Sequence, residues 1–127
     1  MSYKVVVTDQ VFPDVECERA LLAEVGVTLA VAEGDRSAVL AQAAAADALL
    51  TTYFAIDAEA IAQLPKCRLI ARYGIGVDNI DLAAARAAGI SVTNVPDYCV
   101  DEVAAHTVAM LLSLLRKLPG GDRAMRA

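Results

Sequence analysis

Tryptophan is absent from the 127 residues, aromatic side chains make up only 5%, and there is a single histidine. A core without large rings must be built from Ala, Val, Leu and Ile, and a hydrophobic content of 57% supplies enough of them. That content excludes a disordered chain. Basic residues are scarce: 11 Lys and Arg face 16 Asp and Glu, a net charge of −5, with no basic cluster anywhere. The chain therefore lacks the electrostatic footprint expected for nucleic acid or an anionic membrane. Long apolar runs are missing too. The longest nearly apolar stretch, residues 103–115, contains His106 and falls short of the roughly 20 residues that span a bilayer. It reads as a buried helix.

Met1-Ser2-Tyr3-Lys4 leads straight into a strand-like segment, so no secretion signal is expected. The three cysteines, Cys17, Cys67 and Cys99, are odd in number and far apart. Free thiols in a cytoplasmic protein are the expectation. A length of 127 residues suits one domain.

What is present is an alternation. Short β-branched or aliphatic runs at 3–8, 27–31, 48–52, 68–72 and 90–94 predict five strands. Between them, Ala-, Leu- and Glu-rich stretches at 15–24, 36–45, 58–63 and 82–88 have helical spacing, and a longer one covers about 100–118. Strands alternating with helices imply right-handed crossovers and a parallel sheet with helices on both faces. The strands read as continuous apolar runs, as strands buried on both sides do. The order resembles a flavodoxin-like α/β domain. Gly26, Gly34 and Gly89 are expected as left-handed helix ends, and Asp57 and Asp81 as N-caps.

The last helix is expected to end at Pro119-Gly120-Gly121. Asp101 and Glu102 in its first turn and Arg116 and Lys117 in its last match the macrodipole. Its middle is apolar nearly all round, so a second covering surface is expected. The predicted organisation is a domain over 1–100, an interdomain helix over 101–118 and a linker over 119–127.

Three features invite chemical readings. The segment Arg72-Tyr73-Gly74-Ile75-Gly76-Val77-Asp78-Asn79-Ile80-Asp81 follows a strand and precedes a helix. It is not a dinucleotide-binding fingerprint, because Asn79 stands where the third glycine belongs and the helix starts late. It does offer a Gly-flanked loop at the carboxyl end of a parallel strand, where backbone N–H groups suit a small carboxylate. A turn that needs two glycines for backbone reasons alone remains open. Cys99 and His106 are seven apart and could share a helix face as a nucleophile pair; a small thiol and a packing histidine are the simpler reading. They make no metal site, since no further ligand has suitable spacing. Asp9 ends the first strand as the acceptor of a receiver domain does, but the partner positions hold Thr51-Thr52-Tyr53 and Asn94-Val95-Pro96 instead of an Asp and a Lys.

From residue 46 to about 118 the chain resembles the D-isomer-specific 2-hydroxyacid dehydrogenases, D-3-phosphoglycerate dehydrogenase-like members included. The resemblance is carried by Ala46-Asp47-Ala48-Leu49-Leu50, by Leu69 to Asp81, by Gly89-Ile90-Ser91-Val92-Thr93-Asn94-Val95-Pro96-Asp97-Tyr98, and by Glu102-Val103-Ala104-Ala105-His106-Thr107. It implies the substrate-binding domain of an oxidoreductase that moves a hydride between NAD and C2 of a D-2-hydroxy or 2-keto acid. Gly74, Ile75 and Gly76 would hold the substrate carboxylate through backbone N–H groups, and Thr52 and Tyr53 would face its variable end. Val103 and Thr107 would approach the nicotinamide, while NAD itself would be bound mainly by a Rossmann domain beyond residue 127. The catalytic Arg, Glu and His would lie there also, so this fragment is expected to hold no catalytic residue, to be inactive alone, and to use no metal. Ala105 stands where many members carry an acidic residue. A basic residue near Thr51–Thr52, frequent in phosphoglycerate-using members, is absent, which counts against a phosphorylated substrate. The long helix implies a homo-oligomer, such as a dimer, through residues 103–115. The Asp78-Asn79-Ile80-Asp81 and Asn94-Val95-Pro96 segments also resemble the C-terminal-binding protein corepressors, non-catalytic interaction proteins on the same fold.

Overall fold

A computed structural model describes residues 3–127. They fall into two compact units, one reaching to Pro96 and the other spanning Asp97–Ala127.

The first unit alternates as the sequence predicts: β1 (Lys4–Val7), α1 (Glu16–Glu24), β2 (Thr28–Val31), α2 (Arg36–Ala43), β3 (Ala48–Thr51), α3 (Ala58–Ala62), β4 (Leu69–Arg72), α4 (Leu82–Ala87) and β5 (Ser91–Thr93). The five strands form one parallel sheet in the order β2-β1-β3-β4-β5. This is the predicted flavodoxin-like layout. Register places Val6 beside Leu49, Leu49 beside Ile70 and Ile70 beside Val92, so one row of aliphatic side chains crosses four strands. That row packs against Val39, Leu40 and Ala43 of α2, Ala60 and Ile61 of α3, and Ala85 of α4. Each large aliphatic side chain buried in this way contributes about 1.5–3 kcal/mol to folding.

The opposite face is covered unevenly. Val5, Val7 and Leu29 are buried there with Val15 and packed by Leu22 of α1. Ala48, Leu50, Leu69 and Ala71 are only half-buried, and Ser91 and Thr93 are exposed. The expectation of strands buried on both faces therefore holds for β1 but not for β4 and β5, because in this unit a single helix packs on that side.

Local chemistry explains the ends of the elements. Asp57 and Asp81 cap α3 and α4 by accepting from the N–H groups of Ala60 and Ala84, both at 2.9 Å, and Asp35 caps α2 the same way through Ala38. Two of the three predicted glycine ends stand: Gly26 and Gly89 follow α1 and α4 with φ of 70° and 73°. Gly34 does not end a helix. It follows β2, where a Cβ would come within 2.9 Å of the Ala38 side chain, so its φ of 106° serves the entry into α2.

The second unit contains α5 (Val100–Leu115) and α6 (Leu118–Arg126). Cys99 at its N-cap is left-handed, with φ of 55°. Here the predicted boundaries need correction. The long helix stops at Leu115 rather than 118, and residues 118–126 form a second helix instead of a linker. Lys117 turns left-handed, with φ of 51°, and breaks the run. Pro119, read as a stop, sits in the first turn of α6, where its missing N–H costs nothing. None of α5's residues is buried, and Val103, Val108, Met110, Leu111, Leu112, Leu114 and Leu115 are all exposed. No helix among the described residues is long and apolar enough to cross a membrane.

Candidate carboxylate-binding site

At the carboxyl ends of β1, β3 and β4 three loops meet, all within the first unit. The chain leaves β4 at Arg72, and Tyr73 still donates its N–H to Thr51 O, at 2.8 Å, before the backbone turns at Gly74. Gly74 has φ of 146°, and a Cβ there would lie 2.0 Å from Arg72 Nη1. Glycine is demanded at this position by its backbone, since the guanidinium at the end of a flexible side chain could yield to a Cβ.

Gly76 is different. Its φ lies outside the left-handed region, and an added Cβ would meet only Asp78 Oδ2, at 3.3 Å. The two glycines are therefore not both required by the turn, which answers the alternative left open by the sequence. Ile75 and Gly76 are exposed. Their N–H groups have no acceptor among the described residues, whereas the carbonyls beside them are engaged: Val95 N–H donates to Gly74 O at 3.0 Å and Asn94 Nδ2 to Ile75 O at 2.6 Å. The loop is thus held through its oxygens and leaves two successive donors free on exposed residues, an arrangement that suits an anion.

The loop after β3 is held from two sides. Arg72 Nε and Asn79 Nδ2 donate to Thr52 O at 3.2 and 3.4 Å, and Asn79 Nδ2 donates to Phe54 O at 2.9 Å. From the other side the Asp9 carboxylate takes the N–H groups of Thr52, Tyr53 and Phe54. Asn79, seen in the sequence only as a missing glycine, is therefore the tie between the two loops. The Ile56–Ile80 bridge continues the tie, with Ile56 N–H donating to Asn79 O at 2.8 Å and Asp81 N–H to Ile56 O at 2.9 Å.

The predicted site residues are placed unequally. Tyr53 is 72% exposed, its ring free to meet a ligand. Thr52 is 5% exposed and its hydroxyl is enclosed without a partner. Its backbone belongs to the loop, but as the loop stands its side chain is turned away from solvent. Tyr73 packs edge-on against Phe12, with ring centroids 5.5 Å apart, and donates its hydroxyl to Glu18 Oε1 at 2.9 Å. Burial, reinforced by the Glu18 carboxylate, pushes its phenol well above the usual tyrosine range.

In the second unit Val103 and Thr107 lie one helical turn apart on α5, and both are exposed. Thr107 Oγ1 donates back to Val103 O at 2.7 Å. Cys99 and His106 line the same shallow groove with Glu102 and Met110. Cys99 precedes the helix as its N-cap, and no hydrogen bond joins the thiol to the imidazole, so geometry gives no nucleophile pair. Cys67 is buried, its thiol pushed up by burial and donated to Leu69 O at 3.3 Å. Among the described residues no three His, Cys, Asp or Glu side chains cluster closely enough for a metal ion.

Nothing in this geometry fits a dinucleotide. Asn79 holds the place of the third fingerprint glycine with its amide committed to two carbonyls, and the N-terminus of α4 is already capped by the Asp81 carboxylate.

The model of the D-isomer specific 2-hydroxyacid dehydrogenase catalytic domain matches residues 5–116. A D-3-phosphoglycerate dehydrogenase of Mycobacterium bovis is 41% identical over 93 residues, which are 72% of this chain and 18% of that protein. A glyoxylate reductase of Pyrococcus horikoshii is 40% identical over 93 residues, 72% of this chain and 28% of that protein. The crystal structure of a D-lactate dehydrogenase from Aquifex aeolicus, complexed with NAD and lactic acid, superposes with a TM-score of 0.80 at 27% identity. The match covers 97% of this chain and 37% of that one. The chain thus spans well under half the length of the relatives it matches.

Proposed function

This chain belongs to the D-isomer specific 2-hydroxyacid dehydrogenase family, and from that premise we propose that it is the part that holds the acid. The carboxylate of a small 2-hydroxy or 2-keto acid is received by the N–H groups of Ile75 and Gly76, and the ring of Tyr53 faces the end of the acid that varies. The observation that carries this reading is the pair of N–H groups without an acceptor among the described residues, on an exposed loop whose oxygens are already tied down. Two further features support it. A glycine stands at position 76 although the turn does not require one, as fits close approach of a ligand to the backbone. The Arg72 guanidinium lies against Gly74 and brings positive charge to an otherwise acidic neighbourhood of Asp78 and Asp81.

The reaction proposed for the whole protein is reduction of the keto group at C2: a hydride comes from NADH, a proton from an acid–base group, and the products are NAD and the D-2-hydroxy acid. NADH would supply the hydride when bound; no residue among those described fits its pyrophosphate, so Val103 and Thr107 would do no more than border the nicotinamide. The acid–base group and the cofactor loop are proposed to lie outside these 127 residues, and His106 on α5 has no part in the chemistry. Self-association through residues 103–115 and a cytoplasmic location, the latter supported by three free thiols, complete the proposal.

The test mixes the 127-residue chain with NADH and, separately, glyoxylate, hydroxypyruvate and pyruvate. The expected result is saturable binding of the acids with no NADH oxidation. Turnover by this chain alone would overturn the assignment of the catalytic groups to other residues.

A further inference from the structure

The geometry points to Asp9 as the positioning residue that sets which acids the site accepts. This rests on the reading of Ile75 and Gly76 as the carboxylate cradle and deepens it, since it concerns the other end of the acid.

Asp9 stands at the end of β1, beside β3 in the sheet. Its Oδ1 accepts from Thr8 Oγ1 at 2.8 Å, from Thr51 Oγ1 at 3.2 Å and from Thr52 N–H at 2.9 Å. Its Oδ2 accepts from Tyr53 N–H at 2.6 Å and Phe54 N–H at 3.3 Å. Three successive backbone donors thus converge on one carboxylate, the arrangement with which a backbone nest binds a free anion. Here the chain supplies the anion itself. An ionised carboxylate only accepts, and it accepts on both oxygens. A carboxamide in its place must turn an NH2 group either toward Thr51 and Thr52 or toward Tyr53 and Phe54, donor against donor.

The consequence for recognition follows from what is left over. The N–H groups of 52–54 are taken by Asp9, and the carbonyls of Thr52 and Phe54 by Arg72 and Asn79. The loop has little backbone left to offer a ligand. Selection at this end must then come from the Tyr53 ring, whose direction is set by a main chain clamped between Asp9 and Asn79. Asp9 touches no substrate in this arrangement; it acts through the loop.

The experiment compares the wild-type 127-residue chain with Asp9→Asn by backbone amide NMR, using glyoxylate, which has no group beyond its aldehyde, and phenylpyruvate, which carries a benzyl group. Amide hydrogen exchange at Tyr53 and Phe54 should quicken by about tenfold or more in the variant, as loss of charge-assisted hydrogen bonds predicts. The ratio of the two dissociation constants should change by about tenfold, while glyoxylate alone, anchored at Ile75 and Gly76, should bind within about threefold of wild type. A merely structural Asp9 would quicken exchange and leave that ratio unchanged, which would overturn the proposal alone. Unchanged exchange at Tyr53 and Phe54 would overturn it too. A wild-type chain in which neither acid moves Ile75 or Gly76 would overturn the carboxylate reading, and this proposal with it. Should Asp9→Asn fail to fold, Thr51→Val removes one donor to Oδ1 at a fully buried, nearly isosteric position; a shift of the ratio beyond about threefold supports the clamp, and no shift overturns it.

Discussion

Replacing Gly74 with alanine should cost the first unit about 2–4 kcal/mol, and the sum can be followed atom by atom. A φ of 146° is one that a residue with a Cβ avoids; holding it, or relaxing it against the neighbouring hydrogen bonds, costs about 1–3 kcal/mol. The new methyl would also stand 2.0 Å from Arg72 Nη1 and 2.9 Å from its Cζ. A guanidinium is the mobile end of a long side chain and can swing away, so the clash itself is cheap. Swinging away, however, gives up the bond from Arg72 Nε to Thr52 O, worth about 1 kcal/mol for a charged donor that is partly solvated. Gly76→Ala is the internal control. Its Cβ would meet one Asp78 oxygen at 3.3 Å and no forbidden φ, so its cost should stay below about 1 kcal/mol. Urea unfolding followed by far-ultraviolet circular dichroism measures both. Equal costs for the two alanines, or a Gly74→Ala cost under about 0.5 kcal/mol, would refute the claim that only one of the two glycines is a backbone requirement.

Two other predictions concern the surroundings of the site. The phenol of Tyr73 is held neutral by burial and by its bond to Glu18, so its folded pKa is raised above the unfolded value. The stability it contributes is complete below about pH 10 and is lost as pH climbs further. Tyr73→Phe should cost about 0.5–1 kcal/mol at neutral pH and flatten the alkaline part of the stability curve; an unchanged alkaline slope would contradict it. In the second unit, Met110 and Leu114 are 50% and 75% exposed on α5. The chain should self-associate through that apolar helix, and the Met110→Glu, Leu114→Glu double variant should be monodisperse by light scattering where the parent is not. A parent that stays monomeric across concentration would remove the claim.

Much of the fold was legible because its signals are local. The aliphatic runs of β1, β3 and β4 announce strands inside a parallel sheet, and Asp57 and Asp81 announce helix starts three residues ahead of the N–H groups they satisfy. The Gly-flanked loop was legible for the same reason, within the ten consecutive residues 72–81. What sequence reading missed is non-local. Asp9 invited the role of a phosphate acceptor because only its place at a strand end could be seen. Its real partners, Thr51 to Phe54, are more than forty residues away and reach it only because β3 pairs with β1. Tyr73 and Glu18 lie 55 residues apart. Thr52 was assigned to the ligand by resemblance, and burial of a single side chain is beyond what resemblance resolves. The misplaced boundary after Leu115 has another cause: Pro-Gly-Gly is a strong stop within a helix, yet a proline is equally at home in a first turn, and the choice depended on Lys117 accepting a left-handed backbone.

The most direct test of the central claim is a backbone amide titration of the chain with pyruvate and, in parallel, with its methyl ester, which keeps the keto group but has lost the negative charge. Saturable shifts at Ile75 and Gly76 with pyruvate, absent or far weaker with the ester, are the predicted result. Shifts equal for acid and ester, or confined to residues outside 74–76, would contradict the assignment of these two N–H groups to a substrate carboxylate.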